Sequence, residues 1–269
     1  MQELTMSEIK MMSLDILKDI KRVCEELHLT YFLDSGTLLG AIRHNGFIPW
    51  DDDIDIVMPR PDYDRFCKEY NKFSNSNYYV ASLENSKNYF FSFAKVYDRR
   101  TKKIEHGTYL LKQGLCLDIF PLDGYPDFVR EHYDNCVNVF NKYASAVGYA
   151  FVQHYKFNPL KLLQNIKLFL FRHFIVRKCA LSVHEFASSI DYDSSEYVGC
   201  NSIMYYNQKK CRAMKKSVFT PMMHQFEDDY FIIPAGYDEV LTKYYGSDYM
   251  TPPPEDKRTS THGVNIYLK

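Results

Sequence analysis

The chain has 269 residues and a formal net charge of −1 at pH 7, and 46% of its residues are hydrophobic. This length accommodates one large domain or a catalytic domain with an accessory lobe, and the near-neutral charge without basic blocks argues against nucleic acid as a partner. Seven widely spaced cysteines without a Cys-x-x-Cys pair argue against a disulfide framework and a structural zinc site, and they predict reduced thiols.

The amino-terminal segment and the apolar runs predict a protein without a signal peptide or a membrane-spanning helix. Residues 1–10 have mixed charge and no apolar centre, and no apolar run reaches the roughly eighteen residues that a spanning helix needs. We therefore expect a cytoplasmic protein that meets its substrate before export, at the inner face of the membrane where the substrate is lipid-linked.

The amino-terminal part predicts a helix, a short strand and a loop that opens a second helix. Apolar residues recur with a helical period over residues 7–27, and an aromatic run around Tyr31 predicts a strand. Ser35 and Thr37 are typical N-cap residues, and Gly36 between them lets a ligand approach the backbone. Because a helix start presents free N–H groups, this loop is a candidate anion-binding site.

The most informative stretch is an acidic run at residues 51–55 that is followed by apolar residues. In an extended strand, alternate side chains share a face, so Asp51, Asp53 and Asp55 are expected to lie together, opposite Ile54. Such a cluster is self-repelling unless a cation neutralises it, and all-oxygen ligands favour Mg²⁺, with Mn²⁺ as the second choice. The alternative is a solvated acidic loop, against which the neighbouring sequence blocks argue.

Beyond the acidic run, the pattern predicts a helix over residues 62–70 and then four strands, the last at 115–120. Strands joined by short turns between helices indicate an α+β or mixed α/β sheet. Asp118 lies in the last strand among apolar residues, where a carboxylate is costly to bury unless it is paired or binds a metal. Hydrogen bonding to the neighbouring backbone is the alternative. Asp123 precedes Gly124, a pair typical of a turn.

Basic side chains cluster at the end of the strand predicted over residues 90–97. Lys95 and Arg99 are suited to binding a diphosphate, Arg99 through bidentate contacts, and the alternative is a solvated hairpin turn. Arg43 and His44 lie near the acidic run, where they are expected to neutralise the acids or the substrate. His44 is also a candidate general base because its ordinary pKa lies near neutrality.

The middle of the chain is predicted to be helical, with candidate helices at residues 128–149 and 160–183. The second is basic and amphipathic, so it either lies on an anionic membrane surface or packs on the protein with basic flanks exposed. Nearer the carboxyl end, short strands are predicted at 218–219 and 231–233, and a helix at 237–245. Candidates for contact with an acceptor or with choline are Glu227, Asp248 and His262.

Several sequence blocks together resemble the LicD family, the bacterial proteins that move phosphocholine onto cell-surface glycans and that are related to fukutin and the fukutin-related protein of animals. The block at residues 35–44 begins Ser-Gly-Thr-Leu-Leu-Gly, the block at 46–55 contains Pro-Trp-Asp-Asp-Asp-Ile-Asp, and the block at 117–124 is Leu-Asp-Ile-Phe-Pro-Leu-Asp-Gly. Residues 226–253 also resemble the family's sequence pattern, so the resemblance extends from about residue 25 to about residue 258.

The resemblance implies a nucleotidyltransferase-like fold in which a Gly-Ser-type turn, a paired-acid strand and a third acidic strand form a metal site. Matched residue by residue, Asp53 and Asp55 are the paired acids and Asp118 is the third. The turn reads Ser35-Gly36 here, the reverse of the family's order. The implied activity is metal-dependent transfer of phosphocholine from CDP-choline to a hydroxyl of a glycan precursor, such as teichoic acid, lipopolysaccharide or capsule, with release of CMP.

We expect a nucleotidyltransferase-like catalytic core over residues 1–125, a mainly helical lobe over 126–210, and a carboxyl-terminal segment over 211–269 that packs back on the core and covers the site. Asp51 is the first candidate for the general base, followed by Asp118 and His44. The residues expected to bind the phosphates of the donor are Ser35, Gly36, Thr37, Arg43, Lys95 and Arg99.

Other functions are compatible with the same acids. One alternative is a donor that carries ribitol phosphate or glycerol phosphate in place of phosphocholine, and another is transfer of a nucleotide from a nucleoside triphosphate with release of pyrophosphate. A non-catalytic subunit for glycan assembly is the alternative from another class. An Asp-x-Asp glycosyltransferase is disfavoured, because the acids do not follow a doubly wound nucleotide-binding domain.

Overall fold

The computed structural model of the chain describes residues 2–104, 114–125, 166, 175–202, 213–258 and 265–269. The helices among them are α1 (Met6–Leu27), α2 (Ser35–His44), α3 (Arg60–Phe73), α4 (Val176–Ala187) and α5 (Tyr237–Tyr245), with short 3₁₀ helices at Lys216–Phe219 and Glu255–Lys257. The strands are β1 (Gln2–Glu3), β2 (Phe32–Leu33), β3 (Asp55–Pro59), β4 (Tyr78–Ala81), β5 (Ala94–Asp98), β6 (Thr101–Ile104), β7 (Cys116–Tyr125), β8 (Tyr197–Gly199), β9 (Met214–Lys215), β10 (Pro221–Phe226), β11 (Asp229–Pro234) and β12 (Asn265–Leu268).

The central sheet has the strand order β2-β3-β7-β5-β4, and β8 and β9 continue it from the second half of β7. β3 and β7 pair in parallel, whereas β2, β5 and β4 pair antiparallel with their neighbours. Parallel strands begin at the same edge of a sheet, so the first residues of β3 and β7 lie side by side. The predicted mixed sheet flanked by helices is confirmed.

Helix α1 is the amphipathic helix that the apolar period predicts. It begins after Thr5, whose hydroxyl accepts the backbone N–H of Glu8 while the Glu8 carboxylate accepts the N–H of Thr5, a reciprocal capping box. The apolar face of the helix is buried, and Ile16, Leu17 and Ile20 are fully inaccessible to solvent. This burial anchors the amino-terminal part of the chain on the central sheet.

The helix predicted at residues 62–70 is α3, which starts directly after β3. Its first residue, Arg60, forms a buried ion pair with Asp123 of β7, with Nη2 at 2.5 Å from Oδ1. The turn predicted at Asp123 and Gly124 is therefore wrong, because β7 continues through both residues and pairs with β8. Burial of this carboxylate beside a guanidinium favours the strand over the usual Asp-Gly turn.

The carboxyl-terminal elements pack back on the sheet. The predicted strand at 218–219 is wrong, since these residues belong to a 3₁₀ helix, and Phe219 packs edge-on against Phe32 of β2 with ring centroids 5.7 Å apart. The strand predicted at 231–233 is part of β11, and the helix predicted at 237–245 is α5. Asp248 is exposed after α5, and His262 lies outside the described residues.

The middle of the chain, predicted to be helical, lies largely outside the described residues, including the helix predicted at 128–149 and most of that predicted at 160–183. Its described end is α4, where the guanidinium of Arg177 donates to the carbonyl oxygens of Leu83 and Tyr89, each at 2.7 Å. This basic residue therefore packs on the loop between β4 and β5. None of the helices in the described part of the chain combines the length and the apolar character that crossing a membrane requires.

Candidate active site

The acidic run reaches the sheet through a turn. Residues 51–54 have no regular secondary structure, and β3 begins only at Asp55, so the strand predicted over the whole run is wrong before that residue. The backbone N–H of Asp51 donates to Ile48 O at 3.0 Å, which closes a turn and prevents an extended conformation there. The predicted alternation is retained at the start of the strand, where Ile54 is buried and Asp55 is half-buried.

Asp118 lies beside Asp55 across the parallel strands. The two residues are register partners, and the backbone N–H of Asp118 donates to Ile54 O at 3.2 Å. The residues on either side of it, Leu117 and Ile119, are fully buried, whereas the Asp118 side chain is 24% exposed. The structure therefore brings the paired acids and the third acid together at one edge of the sheet.

Lys95 is the partner of Asp118 on the other side of β7. The two are register partners on β5 and β7, and Lys95 Nζ lies 2.5 Å from Asp118 Oδ1. The rings of Phe91 and Phe93 flank the ammonium, with centroids 4.9 and 5.0 Å from Nζ. Asp118 is thus paired with a cation, and Lys95, predicted to contact phosphate, lies inside the acid cluster.

The carboxyl groups of the cluster disfavour one another's ionisation. Burial raises the pKa of Asp53 to about 8, and the negative charges of Asp51 and Asp118 act in the same direction. Burial and the carboxyl groups of Asp53 and Asp118 also raise the pKa of Asp55 well above its ordinary value. Burial alone would lower the pKa of Lys95, whereas the carboxylate of Asp118 raises it above its ordinary value.

The first turn of α2 contacts the acidic run, and the helix is capped by a different residue from those predicted. Asp34 is the N-cap residue, while Ser35 is the first residue of the helix and has a left-handed backbone conformation with φ of 48°. The hydroxyl of Thr37 instead accepts the backbone N–H of Asp55 at 2.9 Å. Gly36 faces the acids, because a Cβ atom there would lie 2.8 Å from Oδ2 of Asp51. The prediction that Ser35 and Thr37 are N-cap residues is therefore wrong, because Asp34 has this position and the hydroxyl of Thr37 anchors β3.

The predicted site residues Arg43 and His44 lie together at the end of α2, whereas Arg99 lies elsewhere. Arg43 lies at the end of α2 and donates from Nη1 to Tyr249 O at 2.8 Å and from Nε to His44 Nδ1 at 3.5 Å. Burial and the positive charge of Arg43 lower the pKa of His44, which is therefore neutral at pH 7. Arg99 lies in the turn after β5, and its guanidinium carbon is 4.2 Å from the ring centroid of Tyr79. The structure does not bring Arg99 to the acid cluster.

A pocket of about 140 Å³ adjoins the acid cluster. Asp53, Asp118 and Lys95 line it, and Lys103 of β6 contributes a second ammonium group. Its lining therefore contains carboxylates and ammonium groups together, beside apolar side chains such as that of Ile266. Lys103 was not identified from the sequence, because the position of its strand depends on pairing with β12, which local patterns do not specify.

The donor set matches a hard divalent cation. The carboxyl oxygens of Asp53, Asp55 and Asp118 are the ligand type that Mg²⁺ and Mn²⁺ prefer, and their mutual repulsion is relieved by such an ion. As the side chains stand, no group of three or more His, Cys, Asp or Glu residues in the described ranges is arranged to hold a metal ion. Side-chain rotation within the cluster is therefore needed for the three acids to share one ion.

Two residues from distant parts of the chain support the turn that carries the acids. The carboxylate of Glu227 accepts the backbone N–H of Phe47 at 2.8 Å, and the ammonium of Lys10 donates to Ile48 O and Pro49 O, each at 3.0 Å. Glu227 is a candidate for contact with the acceptor or with choline, and its described contact holds the turn. No local sequence signal identifies Lys10, because the contact joins residues 38 positions apart.

Comparisons with known proteins match the same region. The family model described as the nucleotidyltransferase domain of LicD, FKTN and FKRP matches residues 28–170, which include the loop before α2, the acidic run and Asp118. The lipopolysaccharide cholinephosphotransferase LicD of Haemophilus influenzae is 30% identical over 279 aligned positions that cover 100% of both chains.

Two rickettsial proteins without an assigned activity match shorter parts. One, of Rickettsia typhi, is 32% identical over 137 residues, covering 50% of this chain and 37% of its own length. The other, of Rickettsia prowazekii, is 45% identical over 47 residues, which is 18% of each chain. Because the family model spans more than half of the chain and the Haemophilus influenzae protein aligns over its full length, the chain belongs to the LicD family.

Proposed function

We propose that the protein transfers phosphocholine from CDP-choline to a hydroxyl of a cell-surface glycan precursor and releases CMP. The observation that carries the proposal is the meeting of Asp53, Asp55 and Asp118 at one edge of the sheet, next to the loop before α2, in a LicD family member. The full-length relative in Haemophilus influenzae, a lipopolysaccharide cholinephosphotransferase, supports both the phosphocholine group and a lipopolysaccharide-type acceptor.

Asp53, Asp55 and Asp118 are the residues that would hold a divalent cation, Mg²⁺ in preference to Mn²⁺. When bound, such an ion neutralises charge on the diphosphate and makes CMP a better leaving group. The raised pKa values of Asp53 and Asp55 support a cation at this site, because the two carboxyl groups ionise more readily beside a counter-charge.

The chain's own residues bind and orient the reacting groups. Ser35, Gly36 and Thr37 place the start of α2 against the acidic run, where backbone N–H groups and the absence of a side chain at Gly36 suit a phosphate. Lys95 and Lys103 add positive charge to the adjoining pocket. A pocket lined by both carboxylates and ammonium groups is complementary to phosphocholine, which carries an anionic phosphate and a cationic trimethylammonium group.

In the transfer step one P–O bond forms and another breaks, and the proton of the acceptor hydroxyl passes to a side chain of the protein. The acceptor hydroxyl attacks the phosphorus that bears choline, and the bond from this phosphorus to the oxygen shared with CMP breaks. Asp51 accepts the hydroxyl proton, since it lies in the turn against Gly36 and, unlike Asp118, is not the partner of Lys95. The hydroxyl becomes a phosphodiester, and CMP leaves with the bridging oxygen.

Product analysis tests the proposal and separates its alternatives. We would incubate the full chain with Mg²⁺, a lipid-linked glycan fraction and, separately, CDP-choline, CDP-ribitol, CDP-glycerol and CTP, and quantify CMP and pyrophosphate. CMP release from CDP-choline, with choline incorporated into the glycan, is expected. CMP release from another donor alone would show that the transferred group is that donor's polyol phosphate and not phosphocholine. Pyrophosphate release from CTP would indicate nucleotidyl transfer.

The thermal stability of the chain with each donor tests the non-catalytic alternative. Asp53→Asn serves as the inactive control, since it keeps the shape of the side chain and removes its charge. If the wild-type chain releases neither product and gains no thermal stability from any donor, the enzymatic proposal is wrong, and the glycan-assembly subunit is the better description.

A further inference from the structure

Lys95 occupies an unusual position for a phosphate-binding lysine. Its ammonium is directed at Asp118, with Nζ 2.5 Å from Oδ1, and both side chains are shielded, at 13% and 24% exposure. The pairing is built into the sheet, because Lys95 and Asp118 are register partners on adjacent strands. The cation is therefore placed on the acid by the backbone of β5 and β7, and does not depend on a flexible loop.

The aromatic side chains beside Lys95 help to fix the ammonium on Asp118. The centroids of Phe91 and Phe93 lie 4.9 and 5.0 Å from Nζ, within the range of a cation–π contact. The loop that carries both rings is itself tied down, since the hydroxyl of Tyr89 donates to Phe93 O at 2.8 Å. The ammonium thus has one ionic contact and two aromatic contacts in the structure described.

The ammonium of Lys95 contacts Oδ1 of Asp118, one of the oxygens that this carboxylate offers to a divalent cation. A divalent cation bound to this oxygen would lie within a few ångströms of the Lys95 ammonium, and two positive centres so close in a shielded site repel strongly. The four-carbon stem of lysine allows the ammonium to leave without a backbone change. Lys95 and a divalent cation are therefore competitors for Asp118.

We propose that Lys95 is an internal counter-ion that neutralises Asp118 in the metal-free protein and is displaced when a divalent cation binds. This inference rests on the proposed function only in that Asp53, Asp55 and Asp118 bind such an ion. Once displaced, the ammonium is available to the phosphate of the donor, which lies against the same acids. Lys95 thereby links the charge state of the empty site to the binding of metal and donor.

Metal binding by charge-removing variants tests this directly. We would measure the dissociation constant of Mn²⁺ alone for the full chain at pH 7.5 by isothermal titration calorimetry, without any donor. Lys95→Met is expected to bind Mn²⁺ about tenfold more tightly than the wild type, because the competing cation is gone. Lys103→Met is the matched control, which removes the same charge from another part of the pocket, and a change below about threefold is expected.

Thermal unfolding supplies a readout that does not depend on activity. Without metal, Lys95→Met is expected to melt several degrees below the wild type, because Asp118 loses its partner while still shielded. Saturating Mn²⁺ is expected to remove most of this difference, since the ion takes over the role of the ammonium. A lysine with a purely structural role would leave the difference unchanged by Mn²⁺.

The outcomes separate this inference from the proposed function. If the wild type binds Mn²⁺ and Lys95→Met binds it equally or more weakly, the counter-ion role is overturned while the metal site stands. If the wild type binds no Mn²⁺, the metal-dependent function and this inference both fall. Lys95→Gln is the second variant should Lys95→Met not fold, since it retains a hydrogen-bond donor for Asp118 without charge, and it is expected to bind Mn²⁺ more tightly as well.

Discussion

Strands β3 and β7 carry charged side chains at both of their ends, and the two ends differ in how the charge is compensated. At the starting edge, Asp55 and Asp118 lie side by side, with Lys95 on one of them. At the far end, Arg60 directly follows β3 and pairs with Asp123 of β7, both almost completely buried. One end has more carboxyl groups than cations, and the other has a guanidinium and a carboxylate in direct contact.

This difference indicates which end belongs to the fold and which to a ligand. A buried pair of opposite charges is compensated from within the fold, and removing one partner leaves an uncompensated ion inside the protein. A shielded cluster with excess negative charge is unstable by itself and is stabilised by whatever cation enters it. Substitutions at the starting edge should therefore affect activity, whereas those at the far end should affect stability.

The largest effect is expected at the starting edge. Asp53→Asn should lower the transfer rate about a thousandfold, because a ligand for the cation is lost, yet raise the melting temperature of the metal-free protein by removing like-charge repulsion. Steady-state CMP release and thermal unfolding in EDTA measure the two quantities. Asp52→Asn, in the same loop, is the control, and its rate should fall far less. An active Asp53→Asn variant would refute the metal assignment.

The next largest effect is expected at the far end. Arg60→Met should lower the free energy of unfolding by about 3–5 kcal/mol, because Asp123 is left buried without its partner. Urea denaturation measures this loss. The double variant Arg60→Met/Asp123→Leu, which removes both charges, should recover most of the stability. If the single variant unfolds at the same urea concentration as the wild type, the pair is not the structural element that we infer.

The sequence predicts the starting edge better than the far end for a physical reason. Asp53, Asp55 and Asp118 were identifiable because carboxylates beside apolar strand residues need a partner, a property visible in a few neighbouring positions. The pairing of Arg60 with Asp123 joins residues 63 positions apart and depends on strand register, which local patterns do not specify. The Asp-Gly pair at the second of these positions therefore suggested a turn.

The same reasoning explains the other outcomes. Helix α1 was predicted nearly to the residue because its apolar period is local, and the bounds predicted for α5 also agree with the structure. The loop before α2 was predicted to be capped by Ser35 or Thr37, but the hydroxyl of Thr37 bonds to Asp55, 18 residues away. The contact between Lys95 and Asp118 likewise depends on the pairing of β5 with β7.

A smaller effect is expected from pH on the metal-free protein. The pKa of Asp53 is about 8 in the folded chain and near 3.8 when unfolded, so the folded state binds this proton more tightly. Between pH 4 and pH 8 the free energy of unfolding should therefore fall as pH rises, through the contribution of this group. The melting temperature of Asp53→Asn minus that of the wild type should grow by about 5 °C from pH 5 to pH 8.

Metal should suppress this pH dependence. A bound cation holds the carboxyl groups ionised, so saturating Mg²⁺ should flatten the dependence of the difference on pH and make the wild type the more stable protein. Differential scanning fluorimetry across the pH series, with EDTA or Mg²⁺, measures it. A difference that is constant with pH in EDTA would show that Asp53 ionises normally in the folded state.

The smallest effect is expected at the junction between the loop and the starting edge. Thr37→Val replaces a hydroxyl by a methyl group of similar size, leaving the backbone N–H of Asp55 without its acceptor. The expected loss is about 1 kcal/mol of stability, with about a tenfold lower rate because Asp55 is less firmly placed. Thr37→Ser, which keeps the hydroxyl, should retain most of the activity. If Thr37→Val keeps the wild-type rate, the hydrogen bond from Asp55 to Thr37 does not position the acid. A rate loss confined to Thr37→Val would show that the first turn of α2 positions the acids as well as contacting them.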